Sequence, residues 1–176
     1  MASIIGVNEL QHTNGTTAAT IASDGKVTLP QHLLLTQYPH FEANLSSDMT
    51  GFNSDGAHGA GVAFNTTTYN IGNHFKTSGT DIGLFVVPVN GIYYFDAAAQ
   101  SPNTMVQSWF TLANARMNAS DFVMGAAINR VSNKMIKQFS AGDKIGFHPY
   151  RAGATNLTIT ASAIHTWFRG GLLQAL

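Results

Sequence analysis

Phe85-Val86-Val87-Pro88-Val89-Asn90-Gly91-Ile92-Tyr93-Tyr94-Phe95-Asp96 is the stretch of this chain that decides its fold. The Asn90-Gly91 step supplies the positive φ that a tight turn requires, and Pro88 interrupts the apolar run before it. After the turn, side chains of an extended segment alternate, so Tyr93 and Phe95 share one sheet face while Ile92 and Tyr94 share the other. Bulk on both faces predicts burial on both sides. A second sheet covers one face; a loop of the same chain or a neighbouring subunit covers the other.

Working outward, β-prone runs recur between turn signals. Ile82 to Val89 and Gly91 to Ala99 are followed by Val106 to Ala113, Asp121 to Ile128, Lys134 to Phe139, Lys144 to Tyr150 and Leu157 to His165. Ser78-Gly79, Asn90-Gly91, Ala141-Gly142-Asp143 and Ala152-Gly153 punctuate them. Regular turns without a helical period predict an all-β, antiparallel sandwich or barrel. No internal repeat is present.

The chain divides by composition. Residues 1–37 contain no aromatic residue, and every Phe, Tyr and Trp lies in residues 38–176. A segment without aromatics builds little core of its own and must lean on something else. Within it, Thr17 to Ala22 and Lys26 to Pro30 flank Ser23-Asp24-Gly25, a strong hairpin signal, with Ile21, Val27 and Leu29 as a small apolar face. Gln31 to Thr36 reads equally as a helical turn or an extended connector. These features predict an amino-terminal anchoring arm over 1–37 and a sandwich domain over 38–176.

Charged residues make up 10% of the chain, nine basic and nine acidic, so no basic face is offered to nucleic acid. A small neutral surface favours association. No cysteine is present, which excludes disulfides and thiolate metal sites. No apolar run is long enough for a transmembrane helix, and membrane insertion is not expected. Met1 to Gly6 lacks the basic start and apolar stretch of a signal peptide, the expectation for a chain not secreted by the usual route.

Chemistry is sparse. The histidines, His12, His32, His40, His58, His74, His148 and His165, show no helical i, i+4 pairing and read as hydrogen-bonding residues. Asp48, Asp55, Asp81, Asp96, Asp121 and Asp143 sit mostly in turn-like contexts. Asn53-Ser54-Asp55-Gly56 comes nearest to a calcium loop, and turn chemistry accounts for it. Neither a phosphate-binding glycine loop nor a nucleophile elbow exists. The chain is read as non-enzymatic, without cofactor or resident metal.

Phe64, Asn70 and Phe75 are spaced by gaps of five and four, and Phe85 is followed by Gly91, Tyr93 and Phe95. This pattern resembles the C1q/tumour-necrosis-factor superfamily. Phe41-Glu42-Ala43 resembles its first strand, Phe139 to Gly146 the turn before a late strand, and Thr166 to Leu173 the terminal strand. Two departures stand out: nine residues separate Phe75 from Phe85, more than the consensus has, and Ala97 stands where an aromatic is expected. The resemblance implies a jelly roll that forms trimers about a three-fold axis. It makes Phe64, Phe75, Phe85, Tyr93, Tyr94, Phe95, Phe147 and Phe168 the core or trimer-contact residues.

Leu10 to Ile21 and Ser23 to Pro30 are similar to a leader segment of bacteriophage virion proteins. Together the two resemblances imply a structural protein on the exterior of a virion, assembled in the host cytoplasm. It would be a homotrimeric knob anchored to other virion proteins through Ile21, Val27 and Leu29, as a capsid decoration, cement or head-fibre protein. The alternative is a tail-fibre or appendage module for host attachment, holding a receptor or surface glycan in the Met49–Gly61 and Asn114–Asp121 loops.

Overall fold

The computed structural model describes residues 9–11, 17–28, 38–54, 61–117, 122–153 and 156–176. The chain forms two compact units, Met1–Thr36 and Gln37–Leu176.

In the first unit, β1 (Glu9–Gln11), β2 (Thr17–Ile21) and β3 (Val27–Thr28) form an antiparallel sheet in the order β1-β2-β3. The expected hairpin turn closes through Ala22 N–H donating to Lys26 O at 2.8 Å and Gly25 N–H donating to Ala22 O at 2.9 Å. Gly25 takes φ 82°, a value only glycine adopts without strain, and Asp24 Oδ1 accepts from Lys26 N–H. Ala19 is buried, Ile21 half-buried and Val27 exposed. Leu29, the third apolar residue expected on this face, and the connector 31–36 lie outside the described residues.

The second unit contains β4 (His40–Asn44), β5 (Met49–Phe52), β6 (Thr66–Ile71), β7 (Phe85–Val86), β8 (Gly91–Leu112), β9 (Ala115–Arg116), β10 (Phe122–Phe139), β11 (Lys144–Tyr150), β12 (Leu157–Ile159) and β13 (Trp167–Ala175). All pairings are antiparallel. The register resolves two layers. β6, β4, β13, the first half of β8 and the second half of β10 form one sheet. β7, β11, the second half of β8 and the first half of β10 form the other.

β8 and β10 therefore run through both layers. The sequence reads each as two strands, because Ser101-Pro102-Asn103 and Asn129 to Asn133 look like breaks. The chain bends there without losing its pairing, and β10 shifts register between Val123 and Arg130 as it does so. Two other runs are shorter than expected. Ile82 to Val89 contributes only Phe85–Val86, because the chain turns first, with Gly79 at φ 77° and Gly83 at φ 80°. A Cβ on Gly83 would lie 2.3 Å from Val62 O, so no other residue fits that turn. Leu157 to His165 stops at Ile159, and Ser162 O then accepts from His165 and Thr166 N–H.

The core is aromatic. Phe41, Phe64, Phe75, Phe85, Tyr93, Phe95, Phe110, Phe147 and Phe168 are all at most 1% exposed. Rings from the two layers meet: Phe41 stacks on Phe85 at 5.0 Å and Phe95 lies 6.1 Å from Phe110. Ala97, where the resemblance calls for an aromatic, is fully buried opposite Phe168, whose ring occupies the space.

Asn70 explains one motif position. Its Oδ1 accepts from Phe75 N–H at 3.1 Å and its Nδ2 donates to Phe75 O at 2.9 Å. One amide side chain thus satisfies both backbone groups of the residue five positions on, which fixes the turn at Gly72 and Asn73. Asn90 Oδ1 likewise accepts from Ala141 N–H at 2.9 Å, tying two hairpin turns together.

Candidate assembly face

Facing residues in an antiparallel sheet point to the same side, so the register defines what the first sheet turns away from the core. Tyr94 lies opposite Gly171 and Ile136; Asp96 opposite Arg169 and Lys134; Arg169 opposite Glu42; His40 opposite Ile71. This outward face runs unbroken across β6, β4, β13, β8 and β10. Ile92 and Tyr94 on it are half-buried, against full burial for Tyr93 and Phe95 on the other side of the strand.

At one end of the face, Tyr38, His40, Tyr69, Tyr94, Arg169 and Leu173 surround an open hollow of about 310 Å³. Gly170 and Gly171 form its floor. Neither glycine has room for a side chain, since a Cβ on Gly170 would lie 2.4 Å from Tyr94 O and one on Gly171 2.6 Å from His40 Cβ. The walls are held from behind. Tyr38 O–H donates to Leu173 O at 2.7 Å, His40 Nδ1–H donates to Tyr38 O at 2.6 Å, and the His40 and Tyr69 rings sit 5.4 Å apart.

The middle of the face is polar. Arg169 donates from Nε at 3.0 Å and from Nη2 at 2.7 Å to Asp96 Oδ2, and the Asp96 side chain is 2% exposed. The Trp167 ring carries the Arg130 guanidinium at 4.7 Å and that of Arg169 at 5.4 Å. Asp96 Oδ1, Asn44 Oδ1 and Trp167 Nε1 are shut off from water without hydrogen-bond partners. Each such group costs about 1–3 kcal/mol. The face is energetically incomplete as it stands in a single chain.

Burial raises the Tyr94 phenol above its ordinary pKa, as does the Asp96 carboxylate, while Arg169 lowers it. Burial and then Glu42 raise Tyr69, again opposed by Arg169. A phenol with a raised folded pKa contributes stability that is complete below its unfolded value, about pH 10, and is lost as pH rises through the folded value. The denaturation midpoint is therefore expected to fall between about pH 9 and pH 11, and a Tyr69→Phe/Tyr94→Phe variant to show a shallower fall.

The structure scatters the residues picked out in the sequence. Phe64, Phe75, Phe85, Tyr93, Phe95, Phe147 and Phe168 sit in the interior of one chain, and only Tyr94 of that set reaches the outward face. The proposed binding loops are partly strand: β5 takes up Met49–Phe52, and Ala115–Arg116 pairs with β8 after a turn through Ala113 and Asn114. Residues 55–60 and 118–121 of those loops lie outside the described residues. His148 is buried, stacked on Trp109 at 4.9 Å. Among the described residues no three His, Asp or Glu side chains gather as a metal would require. Sequence reading missed Asp96 with Arg169, and Trp167 with Arg130. The alternation that singled out Tyr94 points to Asp96 two residues on, but nothing local announces its cation 73 residues away.

Residues 41–173 match the family model described as the C1q domain. No curated protein matches the chain. Among solved structures, it is similar to the globular domain of zebrafish complement 1qA protein, with 19% identity, a TM-score of 0.54 and coverage of 78% of this chain and 99% of that one. It is also similar to murine APRIL at pH 8.5, with 15% identity, a TM-score of 0.54 and coverage of 77% and 99%. At these identities the likeness is one of fold.

Proposed function

This chain belongs to the C1q-domain family, and from that premise we propose that it is a non-enzymatic structural protein of a bacteriophage particle. In this reading it is a homotrimeric knob on the exterior of the virion, held there by residues 1–37. The observation that carries the assembly is the outward face: aromatic, half-buried, hollowed at one end, and holding polar atoms that one chain leaves without partners. That is the form of a surface completed by another copy, in keeping with the trimers that the family implies. The low charge of the chain agrees, since association then rests on apolar packing and on the avidity of three arms.

The particle is supported by different features. The leader resemblance spans Leu10 to Pro30, and an exposed Val27 on a small three-stranded sheet is a surface with something to gain from a partner. Lack of cysteine suits assembly in a reducing cytoplasm.

Sedimentation of the purified chain is expected to give a species three times its 18.8 kDa mass. A stable monomer would overturn the trimer. Antibody against residues 61–176, applied to intact particles, is expected to decorate the capsid, and a chain absent from purified particles would overturn the structural role.

A further inference from the structure

Resting on the trimer reading, we propose how the copies meet: strand β10 of one, led by Ile136, seats in the hollow beside Leu173 and Tyr69 of the next. Four observations lead there. The second half of β10 pairs only with β8 among the described residues, so it is the free edge of its sheet. Ile136 on that edge is 67% exposed and points outward, since it lies opposite Tyr94. The hollow lies on the same face, but toward the opposite flank, among β13, β4 and β6. At sheet spacings of about 4.8 Å per strand, the two are too far apart for one copy to fill its own hollow.

Charge agrees with this pairing. Lys134, two residues before Ile136 on the same side of the strand, has no ion pair, and neither has Glu42 next to the hollow. Bringing the edge of one copy to the hollow of another brings these two together. About 310 Å³ takes the isoleucine and also the alkyl stem of a neighbour such as Lys134. A three-fold assembly contains no two-fold axis, so knob and hollow must join head to tail, and the third contact closes the ring.

Because the chain has no cysteine, the contact can be read with an Ile136→Cys/Leu173→Cys variant and a short bis-maleimide. Both positions are exposed in the single chain, so folding should survive. The expected result is a covalent ladder that ends at three chains, with monomer alone from each single variant. If the unaltered chain sediments as a trimer but the paired variant gives no ladder, the trimer stands and this contact falls. Covalent dimers from Ile136→Cys alone overturn it as well. A ladder ending at two, or a monomeric unaltered chain, removes the trimer and the contact together.

Discussion

Phe95→Ala is expected to lower the free energy of unfolding by about 3–5 kcal/mol, the range for removing a fully buried phenylalanine. The upper end is expected here because the Phe95 ring is a hub. It lies 5.6 Å from Phe85, 5.8 Å from both Phe139 and Phe168, 6.1 Å from Phe110, 6.2 Å from Tyr93 and 6.4 Å from Phe41. Those partners come from both layers, so the cavity would open between the sheets, where no single strand can shift to close it. Against the usual 5–15 kcal/mol of a domain, the loss takes up much of the total. Urea titration followed by tryptophan fluorescence measures it. A loss below about 1 kcal/mol would mean that the core collapses around the gap and that the ring is not a hub.

Arg169→Leu is expected to cost about 2–3 kcal/mol. Breaking a fully buried ion pair costs roughly 3–5 kcal/mol because a charge is left behind without its partner. The Arg169 side chain is 44% exposed, which lets water reach the site and reduces the figure. The damage arises from Asp96, which is buried and has Oδ1 without a partner even in the native state. Removing both charges, in Asp96→Leu/Arg169→Leu, is expected to recover most of the loss, because two apolar groups have no desolvation to repay. Comparison of the single and paired variants by denaturant titration decides it. If the paired variant is less stable than Arg169→Leu alone, the buried carboxylate is stabilising in its own right.

What could be read in the sequence follows from how local each signal is. Asp24-Gly25 and Asn90-Gly91 act within four residues, and both turns form. Phe64, Asn70 and Phe75 are close in sequence because one amide must reach the backbone of Phe75, so the motif carries its cause within itself. Lys144 to Tyr150 alternates cleanly between turn signals and forms a strand over those same residues. The bends in β8 and β10 were missed because a chain that changes sheet keeps its hydrogen bonds, and a turn signal such as Pro102 cannot tell a bend from a break. β6 escaped notice for another reason. Thr66-Thr67-Thr68 is polar, and an edge strand need not show an apolar face. The assembly face was read only through Tyr94. Its other members, Glu42, Ile136 and Arg169, lie on strands far apart in the chain and acquire a common side only through the register.

β13 is the last element in chain order, yet it lies between β4 and β8, with Phe168 opposite both Ala43 and Ala97. Insertion of a late strand between two early ones governs the order of events during synthesis. Until Trp167 to Ala175 leave the ribosome, β4 and β8 have no bridge between them. Phe41 and Phe95 then remain within reach of other nascent chains. A fold of such long-range pairing matures slowly, and its newest polypeptide is the most exposed to aggregation. Yield of soluble protein should therefore depend on the growth temperature at which the chain is made, even where the finished domain is stable.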